Sequence, residues 1–188
     1  MNTSYQTFPF QKAKGIRMFI LDVDGVLTRG DIIINDQGEQ LKAFHVRDGH
    51  GIKLLQRSGI EVAILTGRTS QVVSHRAKEL GIRYIIQGAL RKGEAVQALC
   101  EQSGIPSDCC AYMGDDVIDV PAMAYCRLAF APVDAHPSVS KKADWVSGFS
   151  GGQGAVRQAC EGLIIANEAW DQVMTVAYGV LPEESGWL

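Results

Sequence analysis

The sequence predicts an α/β fold in which a parallel sheet carries helices on both faces and a β-hairpin projects from it. Two observations predict this. Short apolar runs at 17–21, 61–65, 82–86, 109–113 and 127–130 read as buried strands, and between them lie amphipathic stretches at 50–58, 70–80 and 92–103 with apolar residues at helical spacing. Acidic, hydroxyl-bearing and basic motifs follow several of those runs, and in an open parallel sheet such strand ends converge on one crevice. With 188 residues, 46% hydrophobic and 21% charged, the chain is expected to form one domain over 1–188 with an ordinary core.

The elements follow in order. Met18-Phe-Ile-Leu21 runs into Asp22-Val-Asp24-Gly-Val-Leu-Thr28, a glycine-assisted turn that delivers two carboxylates to a strand end. Asp31-Ile-Ile-Ile34 and Gln40-Leu-Lys-Ala-Phe44, joined by Asn35-Asp-Gln-Gly38, read as a hairpin over about 31–44. Gly59, Gly81 and Gly104 follow the three helical patterns as stops. From Ala155 to about Tyr178, apolar residues including Val156, Leu163, Trp170 and Met174 recur near the helical period, which predicts one long C-terminal helix. The alternation as a whole is Rossmann-like.

Composition excludes several classes. A net charge of −3 with no long Lys/Arg cluster argues against nucleic acid or an anionic membrane as partner. Cys100, Cys109, Cys110, Cys126 and Cys160 contain no CxxC pair and are odd in number, which indicates neither a disulfide framework nor zinc and fits a reducing cytoplasm. Asp22 and Asp24 interrupt the N-terminal apolar run before a signal peptide or a membrane span develops, so a cytoplasmic protein is expected. His45, His50, His75 and His136 share no metal-ligand spacing, and Gly151-Gly-Gln-Gly154 lacks the spacing of a dinucleotide loop.

The remaining motifs share one chemistry. Removing a phosphate from a monoester requires an in-line nucleophile, a cation to hold the anions together, donors for the equatorial oxygens and an acid for the leaving oxygen. Asp22 is the candidate nucleophile and Asp24 the acid/base. Mg²⁺ is expected between the acids, because adjacent carboxylates repel and hard oxygen ligands suit that ion. Asp115, after the run Cys109-Cys-Ala-Tyr-Met113, completes the carboxylate set, with Asp116 and Asp119 supporting it indirectly. Thr66 offers its hydroxyl and Lys92 its charge. Thr66-Gly67 also reads as a plain turn before a cap at Thr69 or Ser70, and Lys92 as a solvated residue at a helix start.

In this order the motifs resemble the haloacid dehalogenase superfamily of aspartyl-phosphate phosphatases, with Asp22/Asp24, Thr66, Lys92 and Gly114-Asp115-Asp116 on its four signatures. Leu41-Lys-Ala-Phe-His-Val-Arg-Asp-Gly49, Leu65-Thr-Gly-Arg68, Asp134-Ala-His-Pro137 and Gly151-Gly-Gln-Gly-Ala-Val-Arg157 resemble the branch that acts on the 8-phosphate of 3-deoxy-D-manno-octulosonate. That resemblance implies a Mg²⁺-dependent sugar-phosphate phosphatase of lipopolysaccharide precursor synthesis, cytoplasmic and homotetrameric. It places the metal on Asp22, the Asp24 main-chain carbonyl and Asp115. It places substrate contacts on Asp24, His45, Val46, Arg47, Asp48, Gly49, Lys53, Arg68, Arg76 and Lys92. His45 is often Asn and Lys53 often Arg in that pattern, which bears on sugar recognition and not on the phosphatase chemistry.

Only the hairpin and a short 69–90 segment are available as a lid, so no large cap domain is expected. Closure is then expected from neighbouring subunits, through hairpins and part of a partner chain such as its C-terminal tail. Three alternatives stay open at this point. They are a phosphatase for a nine-carbon sialic-type sugar phosphate or a macromolecular phosphoester, a phospho-aspartate receiver domain, and a silent subunit that keeps only the fold.

Overall fold

The computed structural model describes residues 4–187. After a one-turn helix α1 (Phe10–Ala13), the chain forms β1 (Met18–Leu21), the hairpin strands β2 (Ile33–Ile34) and β3 (Gln40–Leu41), α2 (Val46–Arg57), β4 (Glu61–Leu65), α3 (Gln71–Leu80) and β5 (Tyr84–Ile86). It continues through α4 (Lys92–Ser103), β6 (Cys110–Met113), α5 (Val120–Tyr125), β7 (Leu128–Ala131), α6 (Pro137–Ser140), β8 (Trp145–Val146), α7 (Ala155–Ala166) and α8 (Val176–Tyr178).

Six strands make one parallel sheet in the order β5-β4-β1-β6-β7-β8. Leaving the hairpin aside, that is the 3-2-1-4-5-6 order of a doubly wound sheet, whose switch point lies between its first and fourth strands. A receiver domain has the order 2-1-3-4-5, so this alternative is removed. The strands are apolar on both faces because both faces are covered. Phe19, Leu21, Val62, Ile64, Ala111 and Met113 pack with α2, α3 and α7; Met18, Ile20, Ala63, Leu65, Cys110 and Tyr112 pack with α4, α5 and α6. The alternation follows the two-residue period of the strand.

One expectation is corrected, and two features lay outside the sequence reading. First, the long C-terminal helix is broken, since α7 ends at Ala166 and Glu168 adopts φ +58°. Asn167 causes the exit: its Nδ2 donates to Ala13 O and Leu163 O, and its Oδ1 accepts from Gly15 N. Past the break a π-helical turn at Asp171–Thr175 leads into α8, and Trp170, Val173 and Met174 return to the same core. That return is why the periodicity looked continuous. Second, β8 joins the sheet unforeseen, as two residues show no period. Third, within this chain the tail packs back on its own core. Trp187 is buried against Tyr5, Phe8 and Phe10 of its own chain, and its indole N–H donates to Glu161. Leu188, the end of the tail, lies outside the described residues. No helix among the described residues is long and apolar enough to cross a membrane.

Candidate active site

β1 and β6 lie side by side at the switch point, so the residues just past their C-terminal ends, Asp22 and Asp115, share one crevice. The ladder continues one step beyond the strands, with Asp22 N donating to Met113 O at 3.1 Å. The chain then turns sharply, as the N–H groups of Val26, Leu27 and Thr28 all point at Val23 O. Gly25 sits in that turn at φ +85°, and a Cβ there would lie 2.0 Å from Asp115 Oδ2. Only glycine lets the second acid come this close.

The crevice encloses about 360 Å³ and is lined by Asp22, Asp24, Gly30, Thr66, Gly67, Arg68, Leu90, Lys92, Asp115, Asp116 and Ile118. Thr66 follows β4, with its N–H held by Ile86 O and its carbonyl by Ala89 N. Lys92, the first residue of α4, is no solvated helix-start charge, because only 2% of it is exposed. Its ammonium donates to Asp119 Oδ1 at 2.6 Å and lies 3.0 Å from Asp22 Oδ1. Asp119 is fully buried and also accepts from Tyr112 Oη at 2.6 Å, Asp115 N at 3.0 Å and Asp116 N at 3.2 Å. It ties Lys92 to the loop that carries Asp115. Asp116 caps the following turn by accepting from Val117 N.

Electrostatics mark the site as built for a cation. Asp22 and Asp115, with Asp119, place carboxylate oxygens within 4.8 Å of one another. Burial raises the Asp22 pKa to about 6, with the Asp119 charge adding to it and Lys92 opposing it. Burial and then the charges of Asp22, Asp119 and Asp116 raise Asp115 to about 7. For Lys92, burial works against the charge but Asp22 and Asp119 outweigh it, so its pKa is raised. Three carboxylates against one ammonium leave two surplus negative charges when all are ionised, and Asp22 Oδ1, though beside Lys92, has no hydrogen bond. A divalent ion with a preference for oxygen fits this donor set in charge and in type. Asp22 and Asp115 would hold it directly.

The other expected contacts are placed elsewhere. None of His45, Val46, Arg47, Asp48, Gly49, Lys53 and Arg76 lines the crevice. Asp48 is buried and accepts from Gly154 N at 3.2 Å and Arg157 N at 2.8 Å, so within this chain it caps α7 and ties it to α2. Arg76 packs over Phe44 and pairs with Glu79, in the space that a Cβ on Gly49 would fill. Lys53 borders a separate cavity with Gln56, Gly81 and Arg83. His45 and Arg47 line another beside Arg157 and Gln153. The second glycine motif is a backing surface. A Cβ on Gly151 would meet Gly25 O at 1.7 Å, and one on Gly152 would meet Thr28 C at 2.5 Å. Two neighbours of the acids gave no sequence signal as site residues: Lys42, whose ammonium pairs with Asp24, and Tyr112.

Residues 46–127 match the haloacid dehalogenase-like hydrolase family. The chain is 47% identical over 161 residues to the 3-deoxy-D-manno-octulosonate 8-phosphate phosphatase KdsC of Escherichia coli (strain K12), covering 86% of each. A crystal structure of such a phosphatase from Moraxella catarrhalis, in complex with magnesium, phosphate and KDO, superposes with a TM-score of 0.86 at 41% identity, over 94% of this chain and 98% of that one. The cobalt-bound form of the deoxy-D-mannose-octulosonate 8-phosphate phosphatase from Haemophilus influenzae gives 0.85 at 38% identity, over 90% of this chain and 100% of that one. Identity at this level across most of both lengths means that the chain belongs to the 3-deoxy-D-manno-octulosonate 8-phosphate phosphatase family of haloacid dehalogenase-like hydrolases.

Proposed function

We propose that the protein is a Mg²⁺-dependent phosphatase that releases the 8-phosphate of 3-deoxy-D-manno-octulosonate 8-phosphate. The observation that carries this is the buried convergence of Asp22, Asp115 and Lys92 on one crevice, in a chain 41% identical to the protein solved with magnesium, phosphate and KDO.

Asp22 attacks phosphorus through a carboxylate oxygen. The bond from phosphorus to the sugar oxygen breaks, and Asp24 gives its proton to that leaving oxygen. Water then attacks phosphorus, Asp24 takes the proton back, and Asp22 is released with inorganic phosphate. Thr66 donates to a phosphoryl oxygen, while Lys92 holds Asp22 in line and neutralises phosphate charge. Asp22, Asp115 and the Asp24 main-chain carbonyl would hold Mg²⁺, which would supply the positive charge that lets a phosphate dianion approach the Asp22 carboxylate.

The sugar contacts are completed across a subunit boundary. His45–Gly49, Lys53 and Arg76 lie off the crevice of their own chain, and the hairpin exposes Ile32, Ile33, Ile34 and Leu41 as an apolar surface. The exposed apolar hairpin supports the reading of an assembly, a homotetramer built through its hairpins, that acts in the cytoplasm in lipopolysaccharide precursor synthesis. A neighbouring subunit covers the crevice.

The test is phosphate release with and without EDTA from the octulosonate 8-phosphate, a nine-carbon sialic-type 9-phosphate and a phosphopeptide, alongside light scattering for assembly. The eight-carbon ester is expected to lead by at least about tenfold in kcat/KM, with loss in EDTA. Equal rates on all three end the substrate assignment, and an active monomer ends the subunit one.

A further inference from the structure

We propose that Lys42 is the positioning residue for Asp24, fixing one carboxylate oxygen so that the other faces the leaving group. The proposal rests on the acid/base role assigned to Asp24 above.

Lys42 immediately follows β3 of the hairpin, 18 residues from Asp24 in sequence, and only 3% of its side chain is exposed. An ammonium withdrawn from water to that extent requires a partner. The partner is Asp24 Oδ1. The other oxygen, Asp24 Oδ2, lies 3.9 Å from Arg68 Nε, and Arg68 lines the phosphate crevice. Lys42 borders a neighbouring cavity of about 330 Å³ with Thr28, Arg29, Asp31, Ile33, Phe44, His45 and Gly152.

The Lys42–Asp24 pair thus joins two cavities, Lys42 lining one and Asp24 the crevice, with one Asp24 oxygen tied to the hairpin side and the other 3.9 Å from Arg68 Nε. A carboxylate free to rotate offers the leaving oxygen a range of geometries, whereas one pinned by Lys42 offers one. The hairpin is also the apolar element through which subunits are proposed to join. Lys42 therefore links the seating of that element to the orientation of the acid.

The reacting bond supplies a test that separates orientation from general structural support. A sugar alkoxide needs a proton to leave, whereas p-nitrophenolate leaves readily without one. Wild type, K42M and K42R are compared by kcat/KM on the octulosonate 8-phosphate and on p-nitrophenyl phosphate. Because both rates come from one preparation, their ratio does not depend on the fraction folded.

K42M is expected to lose about 30-fold or more on the sugar ester and less than about threefold on the aryl ester, with K42R recovering most of the loss. Equal losses on both esters, or none on either, overturn the role assigned to Lys42. A wild-type preference for another alkyl phosphate overturns the substrate assignment alone, and the ratio is then read on that ester. A wild type acting on the aryl ester alone overturns the sugar-ester assignment and the acid role with it, while leaving the protein a phosphatase.

Discussion

Adding one methyl group at Gly25 should disable the site while leaving the fold nearly intact. A Cβ there would lie 2.0 Å from Asp115 Oδ2, 2.3 Å from its Cγ and 2.7 Å from its Oδ1. Ordinary contact between such atoms is about 3.5 Å, so the carboxylate must retreat by more than about 1 Å. It has little freedom to do so, because Asp115 N is held by Asp119, which is itself fixed by Lys92 and Tyr112. The φ of +85° adds roughly 1–2 kcal/mol of backbone strain for alanine. A displacement of about 1 Å at a reacting centre costs on the order of 10²-fold in rate. Gly25→Ala is therefore expected to melt several degrees lower, to bind Mg²⁺ more weakly by calorimetry and to lose about 10²-fold in kcat. Wild-type Mg²⁺ affinity with turnover within about threefold would show that Asp115 does not need its present position.

Asp22→Asn should lose at least about 10³-fold in turnover, yet in EDTA at pH 8 it should melt no lower than wild type, because a repelled buried charge has been removed. A lower melting temperature would mean that the contact with Lys92 dominates instead. In the metal-free protein Asp22 and Asp115 titrate at about 6 and about 7, above the ordinary 3.8, so the folded state holds their protons more tightly than the unfolded chain. Their contribution to stability is complete below the unfolded pKa and is lost as the pH rises through 6 to 7. The increase in melting temperature on adding Mg²⁺ should consequently be larger at pH 8 than at pH 5, and equal increments would contradict the shifts. Tyr112→Phe removes a buried hydrogen bond to the charged Asp119, and denaturant titration should show a loss of about 1.5–3 kcal/mol.

The acids and the sheet were legible because both are local patterns. Asp22, Asp24 and Asp115 stand just past apolar runs, and each run of four or five residues declares a strand buried on both faces. What escaped depends on partners distant in sequence. Asp48 carried only the substrate contact that the resemblance implies, and nothing near it in sequence shows that its bonds go to residues more than 100 positions later. Lys42 immediately follows a two-residue hairpin strand and has no periodic signal, so only the folded turn reveals that it meets Asp24. The C-terminal break was hidden because Trp170, Val173 and Met174 return to the core in phase with α7.

The fold and the chemistry make opposite demands at the switch point, and the arrangement of Lys92 and Asp119 reconciles them. Burying Asp22 makes it a poorly solvated nucleophile but also costs free energy, which the Lys92 ammonium and the Val23 main-chain N–H offset in part. A second lysine would neutralise the cluster and make the metal-free protein more stable. It would also remove the reason for a divalent ion to bind, and with it the means of bringing a phosphate dianion to a carboxylate. Asp119 is the residue that keeps this balance. Fully buried and bonded to Tyr112 and to two main-chain N–H groups, it holds Lys92 in place without competing for the crevice, so that the surplus charge falls on Asp22 and Asp115. The instability of the empty carboxylate pair is thus the driving force for the ion that the reaction requires.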